Sequence, residues 1–207
     1  MTKKHANNWD NRYDEDRFFY GEEPNYFVAS ELPNLPLGRG LFLAEGEGRN
    51  AVFAAGVGHD VVAVDNSKVG RRKAQELASR SGLTIEYRCE DIIHGPWDDE
   101  KWDFVVLCFA HLPPDVMGHV HRRVVECLRP GGKVILVSFA KSQFGRQSGG
   151  PPRLEWLHDV EKLRDDFPGL NWEKLDEVEV DLKESVGHFG AAMVVEGVGT
   201  RSEPSMG

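Results

Sequence analysis

The sequence predicts an α/β fold, a mostly parallel sheet with helices on both faces. Three observations carry that expectation. Short, continuous apolar runs recur along the chain, as strands buried on both faces require. Amphipathic stretches separate them, which is the alternation of βαβ units. The last two apolar runs break the pattern, because the short loop between them leaves no room for a crossover helix. That spacing predicts an antiparallel pair at the sheet edge.

The strands are expected at Leu41–Ala44, Val61–Asp65, Ile85–Cys89, Phe104–Phe109 and Val134–Phe139, then at Val178–Leu182 and Ala191–Glu196. Helices are expected at Arg49–Ala55, Ser67–Arg80, Asp115–Leu128 and Glu155–Phe167. Ser67 suits an N-cap, and Gly82 suits the stop after the second helix. Pro113 and Pro114 open the third helix, and Leu128-Arg129-Pro130-Gly131-Gly132 predicts a tight turn into the fifth strand. Open α/β sheets bind ligands beyond the carboxyl ends of their strands. Functional residues are therefore expected just after strands one to five, with the loop Glu184–Gly190 on the same rim.

With 207 residues, 40% hydrophobic and 29% charged, the chain suits one globular domain. That domain is expected over 9–198, with 9–36 as an N-terminal lid or helical segment and polar, frayed tails at 1–8 and 199–207. Lys plus Arg number 25 against 34 Asp plus Glu, a net charge of −9 that argues against a nucleic-acid partner. Cys89, Cys108 and Cys127 form no C-x-x-C pair, so no disulfide framework, zinc site or other metal is indicated. The polar N-terminus has no signal-peptide pattern, and the longest apolar run, Phe104–Ala110, is too short to span a bilayer. A cytoplasmic location without membrane contact is the expectation, and oligomeric state is left open.

The first strand runs into Ala44-Glu45-Gly46-Glu47-Gly48-Arg49-Asn50-Ala51. Glycines there let a ligand approach the backbone, and the helix opening at Arg49 offers N–H groups. Gly46-x-Gly48-x-x-Ala51 fits the dinucleotide fingerprint, and Asp65 lies 19 residues on, where a ribose-binding acid belongs. The pair points to an adenosine-type cofactor; the alternative is an ordinary tight turn with a solvated aspartate. The third strand ends in Cys89-Glu90-Asp91-Ile92, where an acid can accept from the amine of adenine and Ile92 can pack on its ring. A cap is the plain alternative. The fourth ends in Cys108-Phe109-Ala110-His111, with His111 either a base or a structural hydrogen bonder.

These residues, in this order, resemble the class I S-adenosylmethionine-dependent methyltransferases, and most closely their small tellurite-resistance (TehB-like) branch. The resemblance runs from about Trp9 to Val198. It is carried by Trp9-Asp10-x-Arg12-Tyr13, Tyr20-Gly21-Glu22-Glu23-Pro24-Asn25, Glu45-Gly46-Glu47-Gly48-Arg49-Asn50-Ala51, His111-Leu112-Pro113, Gly149-Gly150-Pro151 and His188-x-Gly190. It implies a Rossmann-like seven-stranded sheet with an antiparallel last strand, S-adenosyl-L-methionine as methyl donor and a small-molecule acceptor. It implies donor contacts from Tyr20, Ala44, Glu45, Gly46, Gly48, Arg49, Asp65, Asn66, Glu90, Asp91, Ile92 and Cys108. In that set Asp65 would hold the ribose hydroxyls, Asp91 the adenine amine, and the Ala44–Gly48 loop the methionine and ribose. Arg49 would meet the methionine carboxylate unless it is a solvated helix-start arginine. One departure stands out. Many members carry an acid two residues before the loop, where this chain has Phe42, and Ala44 replaces the first glycine. Glu45 is the nearest acid and is expected to serve the donor's ammonium instead.

Methyl transfer from a sulfonium mainly needs alignment of nucleophile, methyl and leaving sulfur. A thiolate or a tellurium or selenium oxyanion needs little basic help, whereas a hydroxyl needs a base. His111 and His188 are the neutral-range groups expected on the rim, to orient or deprotonate the acceptor. His119 and His121 face different ways on a helix, and His5, His59, His94 and His158 are expected on the surface. Trp9, Tyr13, Phe18, Phe19 and Tyr20 form either a lid over the donor or a helix packed on the core. Ser142–Pro152, with Arg146, is either a second mobile rim element for an anionic acceptor or a plain loop. Two rival functions share the glycine loop: a small nicotinamide-binding oxidoreductase and a non-catalytic donor-binding module.

Overall fold

The apolar runs form a seven-stranded sheet in the computed structural model, which describes residues 9–203. The strands are β1 Arg39–Leu43, β2 Asp60–Asp65, β3 Glu86–Cys89, β4 Trp102–Cys108, β5 Leu128–Phe139, β6 Leu170–Glu184 and β7 His188–Arg201. Their order is β3-β2-β1-β4-β5-β7-β6. The first five pair in parallel. β7 lies antiparallel between β5 and β6, so β6 runs with the parallel set and its loop opens on the same rim.

Beyond a helical stretch at 9–13, the described residues form helices α1 Tyr26–Glu31, α2 Arg49–Gly56, α3 Lys68–Arg80, α4 Pro114–Cys127 and α5 Val160–Asp166. The period-two alternation of β1 divides the core. Leu41 and Leu43 pack with α4 and α5 residues on one face; Phe42 packs with α1, α2 and α3 residues on the other. Phe42 is fully buried, so an acid there would be desolvated and unpaired. Ser67 caps α3 by accepting from the Gly70 N–H, and Gly82 leaves it at φ 67°.

The structure departs from expectation in four places. The Leu128–Gly132 segment belongs to β5 rather than to a separate turn. Its register against β4 jumps from Trp102↔Leu128 to Phe104↔Lys133, so the Pro-Gly-Gly run is taken up as a bulge. The Glu155–Phe167 helix breaks. A 3-10 turn at Leu154–Trp156 is followed by an extended bridge between His158 and Ala140, and Asp159 then caps α5. That bridge carries His158 into the interior, where it is 1% exposed instead of on the surface. His59 is also buried, under the Leu32–Asn34 turn, with Nε2 3.2 Å from the Leu32 carbonyl. Finally, residues 199–201 lie in β7 and not in the tail expected from 199. The expected tail 1–8, with His5, lies outside the described residues.

Candidate active site

The chain leaves β1 through three left-handed residues: Ala44 at φ 54°, Gly46 at 60° and Gly48 at 89°. A Cβ on Gly48 would fall 2.4 Å from that of Ala74, and one on Gly46 would fall 2.6 Å from the Tyr13 hydroxyl. Only glycine fits at those two positions. Ala44 takes the same conformation with a side chain, a strain of the kind that collects at functional sites.

Three acids surround this loop. Glu45 turns onto the start of α2, where its Oε1 accepts from the N–H groups of Asn50 and Ala51, both at 2.8 Å. Burial pushes its pKa up to about 7, against the pull of those hydrogen bonds. Glu47 forms a buried ion pair with Lys73 at 2.8 Å and accepts from the Phe19 N–H at 2.8 Å. Asp65 accepts from the N–H groups of Gly46 at 3.0 Å and Ser67 at 2.8 Å, and burial raises it to about 6. Asn66 follows it, half-buried.

At the end of β3, Asp91 accepts from the Ile93 N–H at 2.8 Å. Ile92 packs on the core from the rim. Oε2 of Glu90 is buried with no partner among the described residues, an unpaired acceptor of the kind a bound amine satisfies. At the end of β4, burial raises the Cys108 thiol despite the nearby Arg49 charge, which keeps it a weak nucleophile.

The opposite half of the rim holds both predicted histidines in different states. His111 places Nδ1 2.8 Å from the Trp156 carbonyl, and its Nε2 accepts from the Phe139 N–H at 3.1 Å. Burial lowers its pKa to about 4. With both ring nitrogens spent on backbone, His111 is a structural hydrogen bonder and offers no free lone pair, contrary to the expectation of a base. His188 differs. Its Nδ1 lies 2.8 Å from Glu184, and its ring packs against Phe109, Tyr20 and Phe139 at 4.4, 4.5 and 5.0 Å between centroids. Its Nε2 has no protein partner among the described residues. Phe109 and Ser185 beside it also lie in the left-handed region, at φ 54° and 55°.

Arg49 is also corrected. Its Nη2 donates to Glu184 at 2.8 Å and its Nη1 to the Tyr20 carbonyl at 3.2 Å, so it is a buried internal cation and not a free carboxylate partner. Arg146 pairs with Glu179 at 2.8 Å on β6, which removes it as a free anion lure. The loop bearing it reaches the site through Gly149, where a Cβ would lie 2.7 Å from the His188 ring. His119 is exposed and His121 buried beside Asp166, and His94 is exposed as expected.

The N-terminal segment binds both halves of the rim. Residues 9–13 are helical, with Trp9 stacked on Tyr13. Asp10 accepts from the Ser67 hydroxyl at 2.7 Å, and Tyr13 covers Gly46. The Gly187 N–H donates to the Phe19 carbonyl at 3.1 Å, and Arg12 donates to the Tyr20 hydroxyl at 3.1 Å. Four residues of this arrangement were not singled out from sequence: Asn25, Glu47, Lys73 and Glu184. Glu184 had a signal as the acid four residues before His188 on the expected rim loop, Asn25 and Glu47 lay inside the motifs that carry the resemblance, and Lys73 had none.

Comparison with known proteins agrees with this geometry. Residues 41–132 match a family model described as a methyltransferase domain. Among solved structures, TehB from Haemophilus influenzae superposes with a TM-score of 0.71 at 16% identity, covering 95% of this chain and 67% of that one. The N-methyltransferase NodS from Bradyrhizobium japonicum WM9, in complex with S-adenosyl-L-homocysteine, gives 0.71 at 14% identity, covering 96% and 98%. A protein solved in work on the conversion of a disulfide bond into a thioacetal group during echinomycin biosynthesis gives 0.78 at 20% identity, covering 100% and 93%. Residues 41–132 thus share the sequence pattern of a methyltransferase domain, and the chain shares the fold of these three solved structures. In sequence, a protein of Mycobacterium tuberculosis named only as uncharacterized is 29% identical over 110 residues, 52% of this chain. The chain spans about 40% of the length of the curated relatives it matches. Among the described residues no helix is long and apolar enough to cross a membrane.

Proposed function

We propose that the chain binds S-adenosyl-L-methionine beyond the ends of β1 to β4 and transfers its methyl group to a small thiol, in preference to a tellurium or selenium oxyanion. The observation that carries the donor reading is the Glu45 carboxylate on the α2 N-terminus. A dinucleotide needs those N–H groups free for its pyrophosphate. Here an acid already holds them, and Asp65 adds a second beside the same loop, while the Glu47 charge is offset by Lys73. Those two acids disfavour a pyrophosphate and suit a ligand carrying a sulfonium and an ammonium. Asp65 is assigned to the ribose hydroxyls. The adenine amine is assigned to Glu90 and Asp91, a reading supported by the orphaned Glu90 oxygen.

The bound donor supplies a methyl carbon on a positive sulfur, which keeps the electron pair of the breaking bond while the acceptor sulfur forms the new one. The chain orients the acceptor, excludes water and takes the thiol proton on His188 Nε2. The thiol preference rests on the walls. Aromatic faces flank His188, and the buried cation nearby, Arg49, is committed to Glu184. An oxyanion would lose its water there without a free counter-charge, whereas a neutral thiol need ionise only during reaction. The relative from echinomycin work also concerns sulfur chemistry. Residues 9–20, tied to both halves of the rim, are read as the wall closing the donor site.

A thermal-shift series tests the donor reading. S-adenosyl-L-homocysteine at one hundred times its Kd should stabilise the fold by ~2.7 kcal/mol, and NAD should not. A shift with NAD alone would favour the oxidoreductase. S-adenosyl-L-homocysteine binding with no transfer to any thiol, oxyanion or amine in a panel would favour the non-catalytic module.

A further inference from the structure

We infer that Glu184, compensated by Arg49, is the positioning residue that holds His188 as its Nδ1–H tautomer with the lone pair of Nε2 turned to the acceptor. The inference rests on the methyl-transfer reading for what Nε2 does, but not for how the ring is held. A carboxylate only accepts, so the 2.8 Å contact from His188 Nδ1 to Glu184 Oε2 puts the proton on Nδ1. The carboxylate itself is fixed from two further segments. The same Oε2 accepts from Arg49 Nη2 at 2.8 Å on α2, and Oε1 accepts from Asn25 Nδ2 at 2.7 Å, just before α1. Asn25 is in turn held by α2, its N–H donating to Asn50 Oδ1 at 2.9 Å. Glu184, Arg49 and Asn25 are all buried, so no water competes for these bonds.

Burial, with help from Arg49, sets the charge. A lone carboxylate beside an imidazole favours imidazolium, which is no base. The groups facing His188 are Glu184, Arg49, Arg12, His111 and the Tyr20 hydroxyl. Burial lowers the imidazole, Glu184 raises it, and Arg49 and Arg12 pull it back below its ordinary value. Glu184 itself is pushed up by burial, yet the bond from His188 and the Arg49 charge bring it down to about 2. The dyad is therefore an anion beside a neutral ring at neutral pH. When a thiol binds, its proton passes to Nε2 as its sulfur takes the methyl, and the imidazolium so formed faces a carboxylate already in place.

The test uses the full chain labelled in its histidine rings and followed by NMR. His188 should appear as a single Nδ1–H tautomer near neutral pH, with or without any known acceptor. Glu184→Gln should lose that tautomer preference and move the acid limb of kcat/KM to lower pH. With a thiol acceptor its kcat should fall by ~10²–10⁴-fold. Arg49→Met should move the same limb the opposite way, to higher pH. Opposed shifts would not arise from general loosening of the fold. An Nε2–H tautomer in the unmodified chain overturns the inference, and so does a folded Glu184→Gln variant with kcat within about threefold and its pH limb unmoved. If Glu184→Gln does not fold, the tautomer of the unmodified chain decides alone. Absence of S-adenosyl-L-homocysteine binding sinks the donor reading and leaves the tautomer result standing.

Discussion

His111 and His188 stand on the same rim, both in contact with Phe139, yet they are opposites. His111 spends both nitrogens on backbone groups of the β5 end and the Leu154–Trp156 turn, and its ring stacks on the buried His158 at 5.1 Å. His188 spends one nitrogen on a carboxylate and leaves the other without a partner among the described residues. Residue type and rim position do not distinguish them; hydrogen-bond accounting does. A histidine clamped at both nitrogens is a strut between main-chain segments. One clamped at a single nitrogen by an acid is oriented and still has a lone pair to use.

The comparison can be broken by exchange of losses. His188→Ala should lower methyl transfer by ~10²–10⁴-fold, while S-adenosyl-L-homocysteine affinity by calorimetry stays close to that of the unmodified chain. His111→Ala should show the reverse pattern. Stranding the Phe139 N–H and the Trp156 carbonyl costs ~1–3 kcal/mol for each. That should lower Tm by roughly 2–4 °C per kcal/mol for a domain of this size, with little change in turnover of the folded fraction. Equal loss of turnover in the two variants would abolish the distinction.

Asp65→Ala tests the other half of the rim. A hydrogen bond to a charged group contributes ~1.5–3 kcal/mol, so donor Kd should rise by ~10–150-fold without a matching loss in acceptor KM. An unchanged Kd would remove Asp65 from the donor site.

The smallest expected effect is on the pH dependence of stability. Burial holds His158 well below its ordinary pKa, and its two ring nitrogens have no partner among the described residues. Below about pH 6.5 the unfolded chain binds a proton there that the folded chain refuses. The depressed folded pKa therefore lends stability above that pH, and the stability is lost as pH falls. His158→Phe should leave stability at pH 7 equal or higher and flatten the acid decline by up to ~1.4 kcal/mol per pH unit. Urea melts at pH 7 and pH 5 measure it, and an unaltered slope would mean that His158 is solvated.

How much of this was legible follows the same division. Around the glycine loop, part of the geometry comes from contacts close in sequence. Glu45 caps Asn50 and Ala51 in its own loop, and Asp65 bonds Ser67 two residues on. Local spacing therefore brought the loop, Asp65 and the β3 acids onto one rim as expected, and their assignment to a donor remains the proposal made above. The acceptor half depends on contacts between distant segments. Glu184 meets Arg49 135 residues away and Asn25 159 residues away, and no spacing rule reaches that far. The same limit explains the histidine errors. His158 was assigned to a helix surface because Glu155–Phe167 has helical character. The strand-like bridge to Ala140 is a tertiary pairing that overrides that local preference. β6 was expected over Val178–Leu182 and runs from Leu170 to Glu184, because an edge strand carries charged residues on faces that solvent reaches.

The insertion of β7 between β5 and β6 has a temporal consequence. Parallel strands β1 to β5 can pair as their segments emerge from the ribosome, but His188 opens the strand that must slot in after all the others. Contacts of such long sequence separation close late, since the loop entropy is lost before the pairing rewards it. On the function proposed above, a nascent chain would hold the glycine loop that receives the donor well before it owned His188, and transfer would begin only when the final ribbon locks home.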